Sequence, residues 1–98
     1  MKESKAKKLI HYFLREKPVM MLVKLRNFDK PRYASLLAKE VDCTYSHTVR
    51  ILQILQDYEL IQFIKKGRIK IIELTKLGET VSKSMEDLVR AFSKADEQ

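Results

Sequence analysis

Hydrophobic residues recur at three- and four-residue steps through the first part of the chain, which is the spacing of one face of an α-helix. Residues 3–16 carry such a stripe, and Pro18 marks its end because proline interrupts a helix interior. A second helical stretch, 18–26, has this proline at its first position, where the missing N–H is harmless. It is apolar almost all round, so we expect it at the centre of the core.

Two more helices are predicted on either side of a short break in the pattern. The first, 33–41, has an apolar face formed by Ala34, Leu37, Ala38 and Val41. Residues 42–44 interrupt the periodicity, and Thr44 suits the N-cap of the next helix, because its hydroxyl can accept a bond from a free N–H.

The helix predicted over 45–58 has two distinct faces at about 100° per residue. Its inward positions are Thr48, Ile51, Leu52, Leu55 and Tyr58. Its exposed N-terminal half carries side chains that can form hydrogen bonds, namely Tyr45, Ser46, His47, Arg50 and Gln53. These side-chain types can reach the edges of bases in a DNA groove.

The pattern changes period beyond residue 60. Residues 61–65 and 68–73 are rich in β-branched side chains, as strands are. Lys66-Gly67 between them favours a type I′ hairpin turn, because glycine tolerates a positive φ. Thr75 can cap a last helix, about 76–94, in which apolar residues are spaced three or four apart.

The resulting order is helix, helix, short helix, turn, helix, hairpin and helix, which is the organisation of a winged helix-turn-helix. We therefore predict a mainly α fold with a small β-hairpin, formed by a single domain, 1–98. Its winged-helix core covers about 18–80, and the extra N- and C-terminal helices are 3–16 and 76–94.

Composition and charge indicate a class of partner. The chain has 98 residues, with 20 Lys and Arg against 13 Asp and Glu, and a formal net charge of +7. A basic domain of this size has the electrostatic character of a nucleic-acid binder. No apolar run approaches the ~20 residues of a membrane span, and no secretory signal is evident. The single cysteine, Cys43, cannot form an internal disulfide, so we expect a cytoplasmic location.

Cations cluster at two further places beside the helix-turn-helix. Four of them, and no acids, lie between residues 61 and 72, namely Lys65, Lys66, Arg68 and Lys70. We predict that this wing lies along the DNA backbone or enters the minor groove, which attracts arginine when it is narrow. Lys30 and Arg32 precede the first motif helix and are predicted to contact the DNA backbone.

Several motifs in this order resemble the winged-helix regulators of the MarR and related prokaryotic families. They are Leu37-Ala38, Thr44 to Arg50, Leu60-Ile61 and Leu74-Thr75-Lys76-Leu77-Gly78. Glu59 departs from the glycine often found before the Leu-Ile pair, and Tyr33 from the usual Ser or Thr, which leaves local capping open. The resemblance implies a transcriptional repressor of archaeal, bacterial or viral origin. Its recognition helix presents Thr44, Tyr45, Ser46, His47, Arg50 and Gln53 to DNA.

The terminal helices carry more apolar residues than a winged-helix unit can bury. These are Leu9, Ile10 and Phe13 in the first helix and Met85, Leu88, Val89 and Phe92 in the last. Large exposed apolar patches mark interfaces, so we predict a homodimer that binds a pseudo-palindromic site. The alternative is that both helices pack on each other and on their own domain.

Two other functions stay open at this point. Winged helices also serve as protein-interaction modules in replication or transcription machinery, and the acids of the last helix fit that role. Sequence-independent DNA coating needs the cations but not the polar recognition face. No nucleophile–base pair and no metal-ligand spacing is evident in the sequence, so we expect neither an enzyme nor a cofactor or metal site. Cys43 fits packing in the turn better than redox sensing.

Overall fold

The computed structural model describes residues 4, 7, 14–26 and 30–97, and most of the predicted N-terminal helix, 3–16, lies outside them. The described residues form α1 (Glu16–Leu25), α2 (Ala34–Glu40), α3 (Tyr45–Asp57), β1 (Ile61–Lys66), β2 (Ile69–Leu74) and α4 (Lys76–Ser93). A 3₁₀ turn, Lys94–Glu97, follows α4. This order confirms the predicted winged helix-turn-helix.

The core lies between the first three helices and the inner face of the hairpin. Met21, Leu37 and Leu52 come from α1, α2 and α3 respectively, and each is almost fully buried in one cluster. Ile61 and Ile72 close this cluster from the hairpin. The central position predicted for α1 is therefore confirmed.

The first turn of α1 differs from the prediction. The helix begins at Glu16, so Pro18 lies inside the first turn rather than at the first position. The N–H groups of a first turn have no partner within the helix, so the proline costs no hydrogen bond there. Beside it, the Lys17 ammonium donates to the carbonyls of Val41 at 2.7 Å and Asp42 at 2.8 Å. A cation at this end of α2 also complements the negative end of the helix dipole.

The end of α3 shows why glycine is often found before the Leu-Ile pair, where this chain has Glu59. Glu59 has a φ of 62°, in the left-handed region that glycine enters most easily. Its N–H donates to Gln56 and that of Leu60 donates to Leu55, both at 2.9 Å. These two bonds form a Schellman motif, which ends many helices and usually has glycine at this position.

The turn of the helix-turn-helix repeats the same geometry at the end of α2. Asp42 has a φ of 53°, and the N–H of Cys43 donates to the carbonyl of Ala38 at 2.9 Å. Cys43 is half-buried and packs against the core, which agrees with the packing role expected of it. The backbone here turns the chain from α2 directly into the N-cap of α3.

The hairpin turn falls one residue later than predicted. The antiparallel register runs from Ile61↔Leu74 to Lys66↔Ile69, so the loop is Gly67-Arg68 rather than Lys66-Gly67. Gly67 has a φ of 62°, whereas Arg68 does not enter the positive region. A positive φ at the first central residue alone is typical of a type II′ turn. The predicted type I′ turn at Lys66-Gly67 would instead have forced Lys66 into the left-handed region.

The first turn of α4 lies directly against the backbone of Leu60. A Cβ on Gly78 would overlap the carbonyl oxygen of Leu60, so no side chain fits between them. The Thr75 hydroxyl donates to the Glu59 carbonyl at 2.6 Å and accepts from the Gly78 N–H at 3.0 Å, which confirms the predicted cap. The Thr75 N–H donates to Leu60 at 3.1 Å.

Replacing Gly78 with alanine should destabilise the fold. The added methyl group meets backbone rather than a movable side chain, so we expect a loss of about 3 kcal/mol in the free energy of unfolding. Helix propensity alone predicts the opposite sign, a gain of about 1 kcal/mol. Urea denaturation measures the difference, and Lys83→Ala on an exposed position of α4 is the near-neutral control. A stabilised Gly78→Ala variant would contradict the close approach.

Replacing Glu59 with glycine should stabilise the fold. Relief of the left-handed backbone at this position is worth about 1 kcal/mol, partly offset by the larger chain entropy of glycine when unfolded. Gln56→Gly, in the last turn of α3, is the matched control and should destabilise by a similar amount. Thermal unfolding measures the stability of both variants. If both substitutions destabilise the protein, the turn at Glu59 is unstrained.

Candidate nucleic-acid interface

The N-terminal half of α3 presents a polar, solvent-exposed surface. Thr44 caps the helix by accepting a hydrogen bond from the His47 N–H at 3.2 Å, as predicted. The side chains predicted to face DNA are all exposed, namely Thr44, Tyr45, Ser46, His47, Arg50 and Gln53. On the opposite side, Thr48 and Leu52 are buried against the core. The helix therefore separates one packing face from one face that is free to bind.

One inward prediction on this helix is wrong. Tyr58 is 71% exposed, because α3 ends at Asp57 and Tyr58 is its C-cap. The chain then enters the Schellman turn at Glu59, so the 3.6-residue periodicity no longer determines where the tyrosine side chain lies. Extrapolating the helical face one residue too far produced the error.

The tip of the hairpin concentrates positive charge. Lys65, Lys66, Arg68 and Lys70 are all exposed, and Lys65 lies directly opposite Lys70 in the register. Like charges in directly opposed positions destabilise a sheet. This pair therefore contributes nothing to hairpin stability by itself, and it fits a wing whose charge is balanced by an anionic partner.

A cleft of about 630 Å³ separates the wing from α3. Its apolar floor includes Leu52 and Phe63, which belong to α3 and β1. Its polar and charged lining consists of Tyr33, Ser35, Tyr45, Gln53, Gln56, Arg68 and Lys70. Hydrogen-bonding side chains of the helices thus line a cleft shared with two wing cations.

Three polar residues of this cleft, Tyr33, Ser35 and Gln56, were not among the residues predicted to face DNA. Gln56 follows Gln53 by three positions, so a helical-face argument carried one turn further would have found it. Tyr33 was considered only as a departure at the start of α2, where it indeed makes no side-chain cap bond. Its place in the cleft depends on the position of the wing, which no local pattern reveals.

The two cations predicted before α2 have different environments. Lys30 is exposed, as a backbone contact requires. Arg32 is only 4% exposed, and its Nε and Nη2 donate to the two carboxylate oxygens of Glu40 at 3.0 and 3.1 Å. This geometry contradicts the prediction that Arg32 contacts the DNA backbone. Its guanidinium is directed into the protein because Glu40, at the end of α2, lies within reach.

The acids of α4 are partly neutralised by neighbouring arginines. Glu86 lies 3.6 Å from Arg26, which follows α1, and 3.5 Å from Arg90. Asp87 forms a second ion pair with Arg90 at 3.8 Å. The two pairs with Arg90 lie within α4, whereas the pair with Arg26 connects α4 to the end of α1.

The apolar stripe of α4 is incompletely covered. Met85, Leu88, Val89 and Phe92 are half-buried, and Leu77 near the start of the helix is 52% exposed. The residues predicted to share the interface, Leu9, Ile10 and Phe13, lie outside the described residues.

The described ranges 14–26 and 30–97 contain no group of three or more His, Cys, Asp or Glu side chains placed to hold a metal ion. No helix in the same ranges is both long enough and apolar enough to cross a membrane.

No protein-family model and no curated protein matches the chain. Solved structures do match in fold. AF1382 from Archaeoglobus fulgidus superposes with a TM-score of 0.78 at 20% identity, over 85% of this chain and 94% of that one.

Two further matches are transcription regulators. MepR, a regulator of the Staphylococcus aureus multidrug efflux pump MepA, gives a TM-score of 0.74 at 17% identity over 92% of this chain and 68% of its own. The MarR-family regulator SPO1453 from Silicibacter pomeroyi gives 0.73 at 20% identity over 90% and 63%. This chain spans about two thirds of the length of these two regulators. The chain therefore has a MarR-like winged-helix fold.

Proposed function

We propose that this protein binds double-stranded DNA through α3 and the wing and regulates transcription. The observation that carries the proposal is the cleft between a helix face of exposed hydrogen-bonding side chains and a hairpin tip with four cations. A mutant of MepR, whose fold is similar, has been solved bound to an oligodeoxyribonucleotide, which supports the choice of ligand.

The two sides of the cleft match two parts of a duplex. A helix of the size of α3 fits the major groove, where Arg50 can donate to guanine and Gln53 can bond adenine. The wing cations then lie beside the phosphates or the adjacent minor groove. The DNA backbone between the two grooves occupies the cleft, within reach of the Tyr33 and Tyr45 hydroxyl groups.

We further propose a homodimer that binds a pseudo-palindromic operator and represses transcription by blocking polymerase. The half-buried stripe of α4 supports the dimer, because an apolar surface of this kind gains free energy when a second copy covers it. A two-fold dimer presents two α3 helices to two half-sites of the DNA. In a prokaryotic cell such a protein acts in the cytoplasm, and its function is binding rather than catalysis.

Replacing Arg50 with alanine should separate sequence recognition from general DNA affinity. Fragments selected from random DNA first supply a preferred duplex. On this duplex we expect a loss of about 1–3 kcal/mol in binding free energy, the value of one bidentate base contact. Affinity for random duplex should hardly change. Lys66→Ala is the matched variant, and it should weaken both duplexes equally and lower the salt dependence by about one phosphate contact.

Three results would contradict this assignment in different ways. Equal losses for Arg50→Ala on both duplexes would show that Arg50 contacts only phosphate. Selection that yields no consensus would favour a DNA-coating protein. Binding that is absent at low salt would favour the protein-interaction module.

The dimer predicts a specific response to changes in the α4 stripe. The double variant Leu88→Gln, Phe92→Gln should remain folded, sediment as a monomer and bind the operator more weakly, because each copy then engages one half-site alone. Lys83→Gln on the same helix is the control, since this exposed position lies on the side of α4 away from the stripe and should leave the dimer intact. A wild-type protein that sediments as a monomer at micromolar concentration contradicts the dimer. An unfolded double variant would assign the stripe to the domain's own core.

A further inference from the structure

Arg32 takes part in the hairpin through its backbone. Its carbonyl oxygen accepts a hydrogen bond from the N–H of Ile72 at 2.8 Å. Ile72 lies on the inner face of β2 and is buried in the core. Arg32, two residues before the start of α2, therefore borders β2 in the middle of the strand and supports the two-stranded hairpin. A two-stranded hairpin is only marginally stable by itself, so its stability depends on contacts of this kind with the rest of the fold.

The side chain of the same residue extends to the opposite end of α2. The guanidinium of Arg32 forms two parallel bonds to Glu40, the last residue of α2, and its Nη1 donates to the Lys30 carbonyl at 3.0 Å. The side chains of Arg32 and Glu40 are only 4% and 19% exposed. Bidentate arginine–carboxylate pairs determine orientation as well as distance, because both groups are planar.

We propose that Arg32 and Glu40 are positioning residues that hold the wing at its working distance from α3. The pair connects β2 to α2, and α2 packs directly on α3. Neither residue needs to touch DNA for this role. The inference rests on the proposed DNA-binding function and identifies the contact that gives the two-sided interface its geometry.

A purely stabilising role is the competing explanation, and the energetics of buried ion pairs argue against it. An apolar pair of similar volume often stabilises a protein as well as a buried ion pair does, whereas removing one partner leaves a buried charge. What an apolar pair cannot supply is the direction of the bonds. The double variant Arg32→Met, Glu40→Met therefore tests position while preserving burial. Glu40→Gln removes the charge together with one of the two bonds, because an amide nitrogen donates and cannot accept. We call these two the clasp variants.

Lys17 offers a matched control. Its ammonium binds the carbonyls of Val41 and Asp42 at the same end of α2, but these bonds lead to α1 and not to the wing. Lys17→Met should therefore lower stability without moving the hairpin. Any effect that the Arg32 and Glu40 variants share with Lys17→Met reflects stability alone.

Two measurements on the full chain separate the explanations. The first is amide hydrogen exchange at Ile72 relative to Leu52 in the core, which we expect to accelerate about tenfold in both clasp variants and to stay unchanged in Lys17→Met. The second is the dependence of affinity on salt for a short random duplex. The slope of affinity against salt should fall by about two phosphate contacts in the clasp variants only, because the wing cations are no longer held in position against the phosphates.

The outcomes distinguish this inference from the function on which it rests. Wild-type protection at Ile72 and a wild-type salt slope in the double methionine variant would overturn the positioning role. If the wild-type protein fails to bind duplex at all, the DNA-binding proposal is wrong, and the exchange at Ile72 still tests whether the pair holds the wing. If Glu40→Gln unfolds, the double variant decides alone.

Discussion

The close approach of α4 to the backbone of Leu60 is the constraint on which the wing depends. Thr75 and Gly78 hold the start of α4 against the residue that enters β1, so both ends of the hairpin begin from one point. From there the register runs without interruption to the cationic tip. The Leu-Ile pair and the Leu-Thr-x-x-Gly motif are thus two sides of one contact, and only glycine leaves room for it.

The candidate interface combines two elements that do not stabilise each other directly. α3 takes its position from its packing on α2 and the core, whereas the tip of the wing carries repelling lysines and needs support from elsewhere. Arg32 supplies part of that support, with its backbone on β2 and its guanidinium on Glu40. Charge that would destabilise an isolated hairpin is therefore held on a supported wing, where the proposed DNA ligand would neutralise it.

The residues that were assigned wrongly share a physical cause. Tyr58 and Arg32 both lie just outside helices, where periodicity no longer determines the direction of a side chain. The burial of Arg32 against Glu40 is equally invisible in sequence. The two residues are eight positions apart, and this spacing belongs to no regular element that contains them both. Within the helices, by contrast, every side chain predicted to face DNA is exposed, and both predicted threonine caps are present.

The sequence by itself determined the order of elements, the buried and exposed faces of α3 and the charge of the wing. These properties follow from local spacing, capping and composition, which act over a few residues. Only the tertiary structure decided that Glu59 occupies a left-handed turn, that Gly78 meets Leu60, and that Arg32 is bound inside the protein. Each of these depends on segments distant in sequence coming into contact, and such contacts arise from the packing of the whole core rather than from any single pattern.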